Sequence, residues 1–197
     1  MLNTSMGRVL TLCVLLPLGC DRGNGRGTMN EAPAEAVRAG DAPPPLEMKA
    51  MAELKAADGQ DIEGEIEMSD TGAGVRVMAK IENAEPGMHG IHIHQLGNCS
   101  DIKGKSMGDH FAPASHEHAL PNEATARHLG DLGNIQVSEE GKGELEITVP
   151  GANLRPGDPK SFLGRALVLH LGKDSGKSQQ PSGGSGEPIA CGVIEES

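Results

Sequence analysis

The sequence has few aromatic residues and no hydrophobic run long enough to cross a membrane. Its 197 residues include no Trp, no Tyr and only two Phe, Phe111 and Phe162. A core must therefore be built from aliphatic side chains and methionine, which bury apolar surface at about 25 cal/mol per Å². The apolar run at residues 9–18 is about half the roughly 20 residues that a membrane-spanning helix requires. The run is therefore too short to be a membrane-spanning helix.

Basic residues are scarce relative to acidic ones. Seventeen Lys and Arg stand against 28 Asp and Glu, which gives a net charge of −11 with neutral His. Residues 1–45 contain four residues of each sign, so the rest of the chain carries the whole charge. This balance argues against nucleic acid or an anionic lipid surface as a partner. It would also repel an anionic substrate unless local positive charge offsets it.

The N-terminal residues are typical of an exported protein. Residues 1–19 predict a signal peptide, because Arg8 precedes the short apolar run. The run ends in Leu18-Gly19-Cys20, which resembles a bacterial lipobox and predicts lipidation of Cys20 in the periplasm or cell envelope. An ordinary signal peptide with an incidental cysteine is the alternative. Residues 20–45 are rich in Gly, Ala and Pro and predict a flexible tether, followed by a domain at 46–197.

Only two cysteines, Cys99 and Cys191, belong to that domain. A pair of cysteines in an exported protein predicts one disulfide. Two free buried thiols are the alternative, which is disfavoured outside the cytosol.

Apolar residues alternate with a period of two, and turn residues separate the alternating runs. This pattern predicts an all-β domain, an antiparallel sandwich or barrel, without amphipathic helices. The eight expected strands lie near residues 50–56, 62–68, 75–81, 90–94, 134–137, 144–149, 166–170 and 191–194. Two segments, 96–132 and 171–190, are too long for hairpin loops, and loops of this length are typically functional or disordered.

All eight histidines lie between His89 and His170. His92 and His94 alternate on a strand, so both imidazoles point to one face, where His170 could join them. The first long loop adds a plausible closed tetrahedral zinc set, which consists of His110, His118, His128 and Asp131. Imidazole suits copper as well as zinc, so the sequence predicts two adjacent metal sites.

Five ordered motifs, GMHGIHIH, GDHFAP, RHLGDLGN, GRALVLH and ACGVI, are similar to those of the copper/zinc superoxide dismutase family. The resemblance covers residues 48–195. It implies an eight-stranded Greek-key β-barrel that converts superoxide to dioxygen and hydrogen peroxide by alternate reduction and oxidation of copper.

The resemblance also implies a role for each site residue. The copper ligands would be His92, His94, His110 and His170, and the zinc ligands His110, His118, His128 and Asp131. Asp174 would hydrogen-bond His92 and His118, and Cys99 would pair with Cys191. His89 would hold backbone rather than metal. His116 competes with His118 as a zinc ligand, but His118 fits the family spacing better.

The chain departs from the family at the mouth of the copper channel, where Pro188 replaces the usual arginine and Glu187 precedes it. Anion steering is therefore expected to be weakened. Lysines could compensate in part, or could simply be solvated: Lys103, Lys105, Lys173 and Lys177. Ile91 replaces a common aromatic residue, with an expected effect on packing only.

Three functions remain open on the sequence alone. The first is an active dismutase that acts on superoxide, with a possible copper donor and a possible homodimer among its partners. The second is a non-enzymatic copper- and zinc-binding or buffering protein. The third, a purely structural β-domain, is disfavoured because a barrel of this size has no structural need for seven ligands.

Overall fold

The computed structural model describes residues 47–123, 126–177, 179 and 181–197. The predicted signal peptide, tether and Cys20 lie outside this part of the chain. Among the described residues, no helix is long and apolar enough to span a membrane.

Eight antiparallel strands form a closed barrel. Their spatial order is β2-β3-β6-β5-β4-β7-β8-β1, and β1 closes the ring by pairing with β2. The strands are β1 (Lys49–Ala56), β2 (Glu63–Asp70), β3 (Gly74–Glu82), β4 (Gly87–His94), β5 (Asp131–Val137), β6 (Gly143–Pro150), β7 (Ala166–His170) and β8 (Pro188–Val193). The predicted all-β, eight-stranded antiparallel barrel is thus confirmed.

Two smaller elements complete the description. A two-residue strand, β9 (Glu195–Glu196), pairs with Ala50 and Met51 near the start of β1 and was not expected from the sequence. A short 3-10 segment, Pro181–Gly184, contains left-handed backbone at Ser182 and Gly183, so it is a turn rather than a helix.

Three strands begin three residues earlier than the apolar alternation predicts. β4 begins at residue 87 rather than 90, β5 at 131 rather than 134, and β8 at 188 rather than 191. The extra residues pair across the sheet: Asp131 lies opposite His92, and Pro188 lies opposite His170. Alternation does not mark the starts of β5 and β8 because residues on both faces of these ends are buried.

β4 shows why the alternation is masked. Its last six residues, from His89 to His94, are all buried. Ile91 and Ile93 point into the barrel core, whereas His92 and His94 face outward under the long loops. Ile91 is fully buried, which fits an effect on packing.

The two phenylalanines and the disulfide lie at different positions around the core. Phe111 and Phe162 are buried and meet edge to face, with ring centroids 6.1 Å apart. The predicted disulfide between Cys99 and Cys191 is present. It ties the start of the first long loop to β8.

Candidate metal centre

Four histidines meet on the outer face of β4 and β7, and we call them the four-histidine group: His92, His94, His110 and His170. Their potential ligand nitrogens all lie within 4.8 Å of one another. Two of these residues come from the alternation in β4, one ends β7, and His110 is brought in by a β-bridge to His94. The sheet therefore fixes the backbone at every member of the group.

A second group shares His110, and we call it the carboxylate group: His110, His118, His128 and Asp131. Three imidazole Nδ1 atoms converge on Asp131 Oδ1, at 2.8 Å for His110, 3.0 Å for His118 and 3.3 Å for His128. The other carboxylate oxygen of Asp131 accepts a hydrogen bond from the Ala119 N–H. One carboxylate oxygen is thus left to the histidines.

Apart from the approach of two of them to Asp131 Oδ1, six buried imidazole nitrogens in the two groups have no hydrogen-bond partner among the described residues. They are His92 Nδ1, His94 Nε2, His110 Nε2, His118 Nδ1, His128 Nδ1 and His170 Nε2. Burying a polar atom without a partner costs about 1–3 kcal/mol. Six such atoms in one place therefore need a common explanation, and metal ions held between them supply one.

The opposite ring nitrogens are held firmly. His94 Nδ1 donates to the Gly108 carbonyl at 2.7 Å, and His170 Nδ1 donates to the Gly186 carbonyl at 3.1 Å. His92 Nε2 lies 2.8 Å from Asp174 Oδ2. Such partners fix the tautomer and the orientation of a ligand ring.

Asp174 joins the two groups. Its Oδ1 lies 2.9 Å from His118 Nε2, while its Oδ2 lies 2.8 Å from His92 Nε2. The aspartate is itself held by Asn134, whose side chain accepts from the Asp174 N–H at 2.7 Å and donates to the Asp174 carbonyl at 2.9 Å. Sequence reasoning missed Asn134. The only available signal was its place in the RHLGDLGN motif.

Gly183 closes over this aspartate. Its φ of 62° lies in the left-handed region, and a Cβ there would run into Asp174 Oδ1 and His118 Nε2. Glycine is therefore required on both counts. This position lies in the loop whose composition alone suggests disorder.

The two groups have opposite electrostatic settings. Burial lowers the pKa of His92, His94 and His170 to about 3, so these imidazoles are neutral at pH 7. Burial also acts against protonation of His118, but its hydrogen bonds with Asp131 and Asp174 outweigh burial and raise its pKa to about 9. Hydrogen bonds from histidines overcome burial and hold the pKa values of both aspartates well below the usual range.

The two remaining histidines lie outside both groups. His89 is buried, and its ring nitrogens face the backbone carbonyls of His170 and Glu85 at 2.9 and 2.8 Å. It holds backbone, as expected. His116 is exposed and lies 3.2 Å from the Arg127 carbonyl, so the structure brings His118, and not His116, into the carboxylate group.

A cavity of about 760 Å³ adjoins the four-histidine group. Pro188 is one of its lining residues, and Lys105 is the one Lys or Arg among the described residues that line it. Lys103 instead donates to the Asp58 carbonyl at 2.9 Å. Lys173 and Lys177 are exposed and do not line the cavity. Two acids, Asp109 and Glu117, share the lining with Lys105.

Comparisons with known proteins agree with the site. The model of the copper/zinc superoxide dismutase (SODC) family matches residues 62–194, about two thirds of the chain. A solved structure described as that of the clock protein EA4 is similar, with a TM-score of 0.66 and 32% sequence identity. The match covers 75% of this chain and 93% of that one.

Proposed function

Because the chain belongs to the copper/zinc superoxide dismutase family, we propose that it catalyses the disproportionation of superoxide. Two superoxide anions and two protons give dioxygen and hydrogen peroxide. The observation that carries the proposal is the convergence of six buried imidazole nitrogens on two positions that share His110. Four of them have no partner, and the other two have only Asp131 Oδ1 nearby.

The donor sets suit the two metals of the family. The four-histidine group would hold copper, because an all-imidazole set suits that metal. The carboxylate group would hold zinc, because three imidazoles and one carboxylate form a closed tetrahedral set. Bound copper supplies the one-electron acceptor and donor that disproportionation needs.

The chain's own residues orient the ligands and handle a proton. The carbonyls of Gly108 and Gly186 hold the rings of His94 and His170 by their Nδ1 atoms. The Nε2 atoms are thereby directed towards the other members of the four-histidine group. His110 alone belongs to both groups, with Nε2 in the four-histidine group and Nδ1 against Asp131. Its Nε2 can therefore take up a proton and return it to the departing peroxide, while its Nδ1 stays with the carboxylate group.

Capture of the anion is the step in which this chain differs from its family. Pro188 brings no charge to the cavity, and the acids Asp109 and Glu117 line it. Lys105 also lines the cavity, and its charge adds to burial and His110 in lowering the pKa of His94. We infer that Lys105 supplies the local positive potential in place of the arginine, and that steering is weaker as a result.

The test is the superoxide disproportionation rate of the protein loaded with copper and zinc, at low and at high salt. We expect a fast rate that falls with added salt. Lys105→Gln should lower the rate at low salt by up to about 10-fold, the low end of steering effects. Lys103→Gln makes the same charge change at a side chain directed elsewhere, and should leave the rate nearly unchanged.

A second candidate is a non-enzymatic copper- and zinc-binding protein. Pro188 and the exposed acid Glu187 beside it favour this candidate, because they oppose capture of an anion. A negligible rate with both metals confirmed bound would support it against the dismutase. Pro188→Arg would then show whether the missing cation is the cause, since the variant should gain activity.

The proposal extends to the cell envelope. An exported, lipid-anchored protein would meet superoxide outside the cytoplasm and would keep the Cys99–Cys191 disulfide oxidised. Labelling with a radioactive fatty acid, with Cys20→Ser as the control, tests the anchor.

A further inference from the structure

Arg165 lies directly before β7 and touches residues next to two members of the four-histidine group. Its Nη1 donates to the Gln95 carbonyl at 2.9 Å, and its Nε donates to the Ser161 carbonyl. Its Cζ lies 3.4 Å from the centre of the Phe111 ring. Gln95 follows His94 in the chain, and Phe111 follows His110.

The contacts connect three separate pieces of the site. β7 starts one residue after Arg165 and ends at His170. The Gln95 carbonyl lies at the end of β4, and Phe111 belongs to the first long loop, where its N–H donates to the Ile93 carbonyl at 2.8 Å. One guanidinium therefore joins the start of β7 to the residues that follow His94 and His110.

The chemistry of the contacts requires arginine. A planar guanidinium can donate in two directions while its face stacks on an aromatic ring, whereas an ammonium group cannot keep the fork and the stack together. Within the described residues, the Arg165 side chain donates both of its hydrogen bonds to carbonyl oxygens. The contacts therefore serve position rather than charge pairing.

We infer that Arg165 is a positioning residue for the copper half of the centre, and this inference rests on the proposed copper site at the four-histidine group. It holds the chain beside His94 and His110, and it has no described contact with His118, His128 or Asp131. Two of the four proposed copper ligands adjoin its contacts, against one zinc ligand, the shared His110. Its loss should therefore disturb copper binding more than zinc binding.

The experiment compares Arg165→Met and Arg165→Lys with the wild type, all loaded with copper and zinc. The readouts are the electron paramagnetic resonance and visible spectra of Cu(II), and both metal affinities by chelator competition. We expect Arg165→Met to shift the Cu(II) spectra and weaken copper binding about 10-fold, the low end for residues that orient metal ligands. Zinc affinity should fall less than copper affinity, because His110 is the one member of the carboxylate group beside a contact of Arg165. The copper affinity of Arg165→Lys should lie between those of the wild type and Arg165→Met.

Arg76→Met is the matched control, because Arg76 is an exposed arginine on β3 that pairs with Glu146 on β6. It should leave both spectra unchanged. A lower melting temperature of Arg165→Met with unchanged spectra and copper affinity would overturn the inference, because only the fold would then depend on Arg165. If Arg165→Met does not fold, wild-type spectra in Arg165→Lys overturn it instead.

These readouts separate the inference from the proposed function. An inactive wild type whose Cu(II) spectra respond to Arg165→Met would support the positioning role and refute the dismutase. An active wild type whose Cu(II) spectra do not respond to Arg165→Met would support the dismutase and refute the positioning role.

Discussion

The two halves of the metal centre share His110 but are built in different ways. The four-histidine group takes three of its members from strands β4 and β7, and it contains no carboxylate. The carboxylate group takes His118 and His128 from the long loop between β4 and β5, and it is centred on Asp131. One half is held by the sheet, and the other by charge.

This difference determines how each half keeps its imidazoles available. Burial is the largest cause that keeps the strand-borne histidines neutral, with pKa values near 3, and neighbouring positive groups add to it. Two aspartates attract positive charge in the loop-borne half and raise the pKa of His118 to about 9. The sheet-held half therefore excludes protons, whereas the charge-held half attracts any cation, including a proton.

The largest expected effect is on the pH dependence of stability in the metal-free protein. The strand-borne histidines have folded pKa values below the unfolded value of 6.5, so stability should be lost as pH falls from 6.5 towards 3. Each could cost up to about 1.4 kcal/mol per pH unit. The folded pKa of His118 is raised. Its contribution to stability is therefore complete below pH 6.5 and is lost as pH rises towards 9.

Urea unfolding of the metal-free protein at pH 4 to 9 measures the free energy of unfolding along both limbs of the pH curve, the acid limb below pH 6.5 and the alkaline limb above it. We expect maximal stability near pH 6.5, with a steeper loss on the acid side. His118→Gln should flatten the alkaline limb and leave the acid limb in place. Identical effects on both limbs would contradict the separation of the two halves.

The next effect in size concerns the disulfide, which anchors the loop-borne half. Cys99 and Cys191 are 92 residues apart in sequence, and closing a loop of this length is worth about 4–5 kcal/mol in the chain-entropy model. Replacing both cysteines with Ser should lower the free energy of unfolding by up to that amount. Zinc should be lost from the variant more readily than copper, because Cys99 holds the loop rather than the strands.

Removing the central carboxylate tests the zinc half alone. Asp131→Asn takes away the anion on which three imidazoles converge. Zinc affinity should fall by more than the roughly 100-fold seen for residues that merely orient ligands. Copper affinity should change far less, since the four-histidine group stays complete. Asp158→Asn, at a partly exposed aspartate outside both groups, is the control. Equal loss of both metals from Asp131→Asn would refute the division.

The sequence predicts the barrel well because period-two alternation reflects one simple cause, a strand with one face in the core. It also predicts which histidines assemble, through motifs similar to those of the family, although their metal roles stay predictions. The sequence does not predict the starts of β5 and β8, because Asp131 and Pro188 lie where loops cover the outer face of the strand.

The sequence does not predict the hydrogen bonds that support the metal centre, for another reason. Asn134 holds Asp174 across 40 residues, and Arg165 reaches Gln95 across 70. Side-chain to main-chain bonds of this kind leave no periodicity, because a carbonyl acceptor can belong to any residue type. Lys105 is distinguished from Lys103 only by where each side chain points.

The smallest expected effect tests the one residue that the two halves share outside their ligand sets. Asp174→Asn keeps the size of the side chain but removes the charge that holds both His92 and His118. An amide can accept from one ring and donate towards the other, so both orientations weaken without collapsing. We expect copper and zinc affinity to fall together, each by about 10-fold to 100-fold, as for other residues that orient ligands. Chelator competition with each metal measures the pair of losses. A loss confined to zinc would mean that the strands alone position His92 and that the copper half needs no carboxylate at all.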